Sequence, residues 1–177
     1  MQNHADATLR ELLAALPEIY QPIIGHPDVP FKRSCADRWD AIRPIAAALR
    51  QELGRPLRAL DIGCAQGFFS MSLASLGIDV VGIDRDPRNI AVCEFLRGER
   101  QESRVSFIAA EMDEWLPKVL GGEFDLILGL SVLHHLAHER GLAVARETIG
   151  AWVQGAPVVL VELAEKEEAL YWSQALP

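Results

Sequence analysis

The sequence predicts an α/β domain, doubly wound around a mainly parallel sheet. Three observations carry that reading. From Leu57 onward, five short apolar runs alternate with helix-like segments. The first two runs each end in an acid, Asp61 and Asp84. Between them, Gly63 and Gly67 bracket a turn that leads into an apolar helix-like stretch. Strict strand–helix alternation implies right-handed crossovers and a sheet covered on both faces.

Ala7–Leu16 carries Leu9, Leu12, Leu13 and Leu16 at helical spacing, and Pro17 ends or breaks that helix. Tyr20–Phe31 contains Pro22, Gly25, Pro27 and Pro30, which predicts an irregular connector. Ala36–Leu53 is a second helix with a kink expected at Pro44 and a stop at Gly54. The strand-like runs are Arg58–Ile62, Asp79–Ile83, Val105–Ala109, Phe124–Gly129 and Pro157–Leu163. Helices are expected over Phe68–Leu76, Pro87–Gly98, Met112–Leu120 and Glu139–Val153. This divides one compact domain into a helical lid or cap (1–56) and a nucleoside-binding core (57–177).

Composition excludes some function classes. A net charge of −8 argues against a non-specific nucleic-acid binder, which needs a basic face. Cys35, Cys64 and Cys93 form no CxxC pair, so free thiols in a reducing compartment are expected, with no metal site. The N-terminus shows no basic segment leading into an apolar one. No run approaches the ~20 apolar residues of a membrane helix. The expected location is cytoplasmic, with any attachment to the inner face of the cytoplasmic membrane made through partners.

The glycine spacing separates two ligand classes. A dinucleotide site shows GxGxxG packed against a pyrophosphate. Here the turn reads Asp61-x-Gly63-x-x-x-Gly67, with an acid just ahead of it. That acid repels pyrophosphate and suits a cationic amino group. Asp84 ends the second strand, where a carboxylate accepts hydrogen bonds from ribose hydroxyls. S-adenosylmethionine has an ammonium, a sulfonium and a ribose, and no phosphate. At the end of the fourth run, Ser131–His135 places His134 and His135 where open α/β sheets bind ligands. At least one of that pair has a structural or capping reading as its alternative, and His138 reads as a surface residue.

These residues resemble the first two motifs of class I S-adenosylmethionine-dependent methyltransferases, which implies a Rossmann-like fold. More specific phrases are LPEIYQPIIGHP (Leu16–Pro27), LGRPLRALDIGCAQGFFSMSLAS (Leu53–Ser75), VGID (Val81–Asp84), FDLILGLSVLHH (Phe124–His135) and VELAEKEEALYW (Val161–Trp172). They resemble the amino-terminal methyltransferase domain of bifunctional methyltransferase/kinase enzymes that terminate bacterial O-antigen chains. The resemblance implies a kinase that phosphorylates the terminal sugar and a methyltransferase that caps the phosphate. It also implies cofactor contacts from Asp61, Gly63, Cys64, Ala65, Gly67, Phe68, Asp84, Arg85 and Leu130. Tyr20 and Arg38 would join from the N-terminal side, Arg38 pairing with the cofactor carboxylate in a fork. Glu111 would take the adenine amine and the Met112 backbone would face the ring. The alternative for Glu111 is a helix-start acid; Trp115 borders the adenine or packs in the core. A class I sheet has seven strands where five are legible, so the last edge hairpin is missing, supplied by further sequence or by another chain.

A phosphomonoester is largely dianionic at pH 7 and needs no general base, only cations to hold it. The candidates are His134, His135, Lys32, Arg33 and His26, with Tyr20 as a hydrogen-bond donor. A hydroxyl acceptor would instead require a histidine base. Expected partners are a phosphorylated glycan or a small-molecule acceptor, and a kinase domain. The alternatives are a metabolite methyltransferase and a non-catalytic scaffold that binds S-adenosylmethionine in a glycan assembly complex.

Overall fold

The computed structural model describes residues 2–112 and 123–163. Its elements are α1 (Gln2–Ala14), α2 (Ala36–Leu53), β1 (Arg58–Ile62), α3 (Phe68–Ser75), β2 (Asp79–Asp84), α4 (Pro87–Arg100) and β3 (Val105–Ala109). Then follow β4 (Leu126–Leu130), α5 (Leu133–Arg140), α6 (Leu142–Gly155) and β5 (Val158–Glu162). The expected Met112–Leu120 helix beyond Met112, Trp115 and the ALYWSQALP tail lie outside the described residues.

The five strands run parallel in the order β3-β2-β1-β4-β5. The order reverses between β1 and β4, so a crevice opens beyond their carboxyl ends. Strand side chains alternate between two cores. Ala59, Val80, Leu126 and Leu128 join Ile42, Phe69, Leu73, Val92 and Leu96 on the face covered by α2, α3 and α4. Leu60, Ile62, Ile83 and Ile127 join Leu133 and Trp152 on the other face. Gly129 lies directly over that tryptophan: a Cβ there would stand 2.5 Å from its ring.

Several boundaries differ from the sequence expectation for local reasons. Helix α2 runs through Pro44 without interruption. Pro44 is exposed, so the Asp40 carbonyl that loses its helical donor can turn to water. The stop at Gly54 is as expected, with φ +60° and its N–H on the Arg50 carbonyl. The helix expected over Glu139–Val153 is two helices, α5 and α6, parted by Gly141 at φ +89°, ψ 160°. His134 and His135 therefore stand in the first turn of α5 instead of at the strand end.

Strand β4 begins two residues later than expected because Asp125 is spent on bracing. Its carboxylate accepts two bonds from Arg55 (3.0 and 2.6 Å) and one from the Arg58 N–H (2.9 Å). Burial pushes this carboxyl up, but those donors outweigh burial and hold its pKa below the usual carboxylate value. Asp125→Asn keeps the shape and loses the charge. It is expected to cost about 1–2 kcal/mol in urea unfolding at pH 7, with the difference shrinking as the pH falls through the lowered pKa.

Candidate functional site

A cleft of about 900 Å³ opens over the carboxyl ends of the strands. That volume holds a nucleoside-sized ligand with an acceptor beside it. Of the expected residues, Tyr20, Arg38, Asp61, Gly63, Ala65, Asp84, Arg85, Glu111, Met112, Leu130, His134 and His135 line it. Lys32 and Arg33 line it too.

The turn between β1 and α3 forms the floor. Gly63 takes φ +71°, and a Cβ on it would meet Val132 Cγ1 at 2.2 Å. The chain thus passes closer to the start of α5 than any side chain permits. Ala65 also has a positive φ, +48°, and its N–H donates to Asp84 Oδ2 at 2.9 Å. The other Asp84 oxygen accepts from the Asp86 N–H (2.9 Å) and Asn89 Nδ2 (3.2 Å). Asp84 therefore fixes the turn as well as facing the cleft, a double duty that the strand-end pattern does not reveal.

Cys64, Gly67 and Phe68 do not line the cleft. Cys64 is buried beneath the turn, with its N–H on the Ile83 carbonyl at 2.8 Å. Gly67 makes room for packing: a Cβ there would crowd Cys93 Sγ at 3.0 Å and Phe107 at 3.2 Å. The Phe68 N–H donates to Gln21 Oε1 at 3.0 Å. These three shape the turn from behind. His26 is likewise off the wall, paired with Glu99 at 2.9 Å.

Asp61 is 2% exposed and accepts a 2.5 Å bond from Ser70 Oγ. Burial, together with the nearby Asp84 charge, pushes its carboxyl up to about 6 against the Ser70 bonds. Arg38 reaches in from α2. Its guanidinium lies 5.3 Å from the Phe69 ring centroid and donates to the Ser34 carbonyl at 2.7 Å. Its Nε–H is buried and has no hydrogen-bond partner among the described residues. A buried carboxylate wanting a cation and a buried N–H wanting an acceptor thus belong to residues that line the same cleft. The amino-acid end of S-adenosylmethionine carries that complementary pair, so the residues present fit it.

Sequence reasoning missed part of the site. Gln66 Oε1 accepts the Tyr20 and Gln21 N–H groups (3.1 and 2.9 Å), and its Nε2 donates to Asn89 Oδ1 at 2.6 Å. That side chain latches the N-terminal connector onto the turn. Glu162 ends β5 and pairs with Arg33 (2.6 Å) and Arg38 (3.3 Å). The available signal was a third strand ending in an acid, like Asp61 and Asp84. The His134 and His135 ring centroids are 4.4 Å apart. Burial, then His135, lowers the His134 pKa to about 4; burial, then Arg85, lowers that of His135. Both imidazoles are neutral at pH 7, so the fixed cations of the cleft are its arginines and Lys32.

No helix among the described residues is long and apolar enough to cross a membrane, and no group of three metal-ligating side chains occurs among them. A methyltransferase-domain family model matches residues 54–142. Over 171 residues the chain is 44% identical to an Escherichia coli O-antigen chain terminator, the bifunctional methyltransferase/kinase WbdD, covering 96% of this chain and 24% of that protein. It is 37% identical over 98 residues to a ubiquinone biosynthesis O-methyltransferase of Cereibacter sphaeroides, covering 52% of this chain and 38% of that protein. A crystal structure of WbdD superposes with a TM-score of 0.88 at 43% identity, over 96% of this chain and 39% of that one. A magnesium protoporphyrin IX methyltransferase from Synechocystis shares the fold at TM-score 0.56 and 22% identity, over 73% of this chain and 60% of that one. The chain spans about a quarter of the length of the WbdD proteins it matches. With its glycine turn, both strand-end acids and the start of α5 inside the matched segment, the chain belongs to the methyltransferase-domain family and has the Rossmann-like fold of class I S-adenosylmethionine-dependent methyltransferases.

Proposed function

We propose that the cleft binds S-adenosylmethionine and presents it to the terminal phosphate of a bacterial O-antigen-type glycan, so that methylation stops chain extension. The pairing of buried Asp61 with the orphaned Arg38 Nε–H carries the cofactor half of this reading. The WbdD likeness along nearly the whole chain supports the acceptor half. When bound, S-adenosylmethionine supplies an electrophilic methyl on a sulfonium, and transfer to an acceptor oxygen leaves the neutral thioether.

The chain's own residues then have positional work. Asp61 holds the ammonium and Arg38 the carboxylate. Asp84 offers its remaining lone-pair capacity to the ribose hydroxyls, while Ala65 and Gly63 keep the backbone low beneath the ligand. Glu111 and Met112 border the adenine end. Arg85 is tied to Glu139 (2.8 and 3.0 Å) at the rim and bounds that end of the cleft. Tyr20 faces the acceptor side, its hydroxyl accepting from Arg33 at 3.1 Å. His134 and His135, neutral, act by shape and hydrogen bonding. Alignment of this kind contributes on the order of 7–11 kcal/mol to a bimolecular displacement.

Titration calorimetry with S-adenosylhomocysteine and with NAD tests the cofactor. Binding of the first alone is expected; failure of S-adenosylhomocysteine to bind ends the reading. The acceptor half predicts a pH profile. Phosphomonoesters ionise near pH 6, and Asp61 ionises at about 6. The kcat/KM on a phosphorylated oligosaccharide is therefore expected to rise from pH 5 to about 7 and then level off. A fall between pH 6 and 8 would show that a histidine cation holds the acceptor after all.

A further inference from the structure

On the acceptor side, Arg33 joins three separate segments. Its Nη1 donates to Tyr20 Oη (3.1 Å) and Ser131 Oγ (3.0 Å), and its Nη2 donates to Glu162 Oε1 (2.6 Å). The second Glu162 oxygen accepts from Ser131 Oγ at 2.5 Å and from Arg38 Nη1 at 3.3 Å. One carboxylate thus sits among two guanidinium groups and a hydroxyl, with a second hydroxyl on the same arginine. Planar arginine forks backed by hydroxyls are a donor set suited to tetrahedral oxyanions. Ser131, at φ +56°, holds a left-handed conformation unusual for a residue with a side chain. Such backbone persists where the surroundings demand it, often at binding sites. The Arg33 and Glu162 side chains remain 38% and 25% exposed, so the pair is open to exchange with a ligand.

We infer that Arg33, Ser131 and Tyr20 form the anion subsite for the acceptor's phosphomonoester, and that Glu162 fills it as an internal anion that the acceptor displaces. This rests on the phosphate-acceptor reading and adds to it a specificity device. A neutral sugar end cannot displace the carboxylate from the guanidinium groups. A phosphomonoester brings more charge and three oxygens, and exchanges one ion pair for a stronger one. Arg38 is then released from Glu162 toward the cofactor carboxylate, which couples acceptor entry to cofactor seating.

The test is calorimetric titration of a hexose phosphate and of the unphosphorylated hexose into the intact protein, with S-adenosylhomocysteine present. Glu162→Gln is expected to bind the hexose phosphate roughly three- to tenfold tighter than the parent protein, with the neutral hexose unchanged. In an Arg33→Gln background the same Glu162→Gln change is expected to give no gain, because the displaced contact is gone. A gain that persists without Arg33 would mean a general field effect, and would overturn the assignment. So would equal or weaker binding by Glu162→Gln while the parent protein binds the hexose phosphate. If hexose phosphate binds neither protein but S-adenosylhomocysteine binds both, the phosphate-acceptor reading fails and takes this inference with it.

Discussion

Asp61→Asn is expected to stabilise the free protein and to cripple cofactor binding. In the free protein the buried carboxyl is pushed from 3.8 up to about 6. A carboxylate with a raised folded pKa disfavours folding above that pKa. The penalty disappears as the pH falls to the unfolded value, where the group is protonated in both states. A shift of that size corresponds to about 3 kcal/mol at neutral pH. Asn has no charge to desolvate and still offers an oxygen to Ser70. The variant should therefore melt higher than the parent by up to roughly 6–12 °C at pH 7.5. The gain should shrink steadily as the pH is lowered from 6 to 4. Binding moves the other way: without the buried partner for its ammonium, S-adenosylmethionine should lose about 3–5 kcal/mol of affinity. Thermal melts at several pH values and calorimetry on the same samples check both halves. A variant that binds normally would remove Asp61 from the cofactor site. One that is less stable than the parent would mean that the Ser70–Asp61 contact matters more than the desolvated charge.

Gly63→Ala is expected to damage the turn itself. Its Cβ would lie 2.2 Å from Val132 Cγ1, and its φ is +71°. The steric part can be relieved and the dihedral part cannot. The single variant should lose about 2–4 kcal/mol of stability, from overpacking and from left-handed backbone together. Its cofactor affinity should fall as the turn is pushed off the start of α5. In Gly63→Ala/Val132→Ala the nearest remaining Val132 atom, Cβ at 3.5 Å, is at ordinary contact distance. The double variant should recover most of the steric loss and keep a residual of about 1–2 kcal/mol from the left-handed backbone. Denaturant unfolding of the single and double variants separates the two terms. No recovery in the double variant would mean that the dihedral, not Val132, is what requires glycine.

Most of the framework was legible along the chain. Strand β1 starts and stops where its apolar run does, and Gly54 ends α2 by the left-handed cap that glycine permits. Helix α4 starts at Pro87, as its expected run does, and the structure adds an Asp86 cap that accepts the Arg88 N–H at 2.9 Å. One boundary moved where a long-range partner overrode a local pattern. Asp125 looked like part of a strand and is a brace for Arg55 and Arg58. The helix expected over Glu139–Val153 instead breaks at Gly141, and a separate helix covers Leu133–Arg140.

The cofactor side of the cleft was readable because its chemistry is local: an acid, two glycines and a second acid fall within one strand–turn–helix–strand unit. Asp61, Gly63, Ala65 and Asp84 reach the cleft through that unit's own geometry. The acceptor side was not readable in that way. Arg33 meets Ser131 across 98 residues and Glu162 across 129, and Gln66 meets Tyr20 across 46. No spacing rule spans such gaps. These contacts exist because parallel strands bring every carboxyl end to one edge and the N-terminal connector crosses it. The same folding half-buried His134 and, with His135 beside it, lowered its pKa to about 4, which removed the charge the sequence suggested.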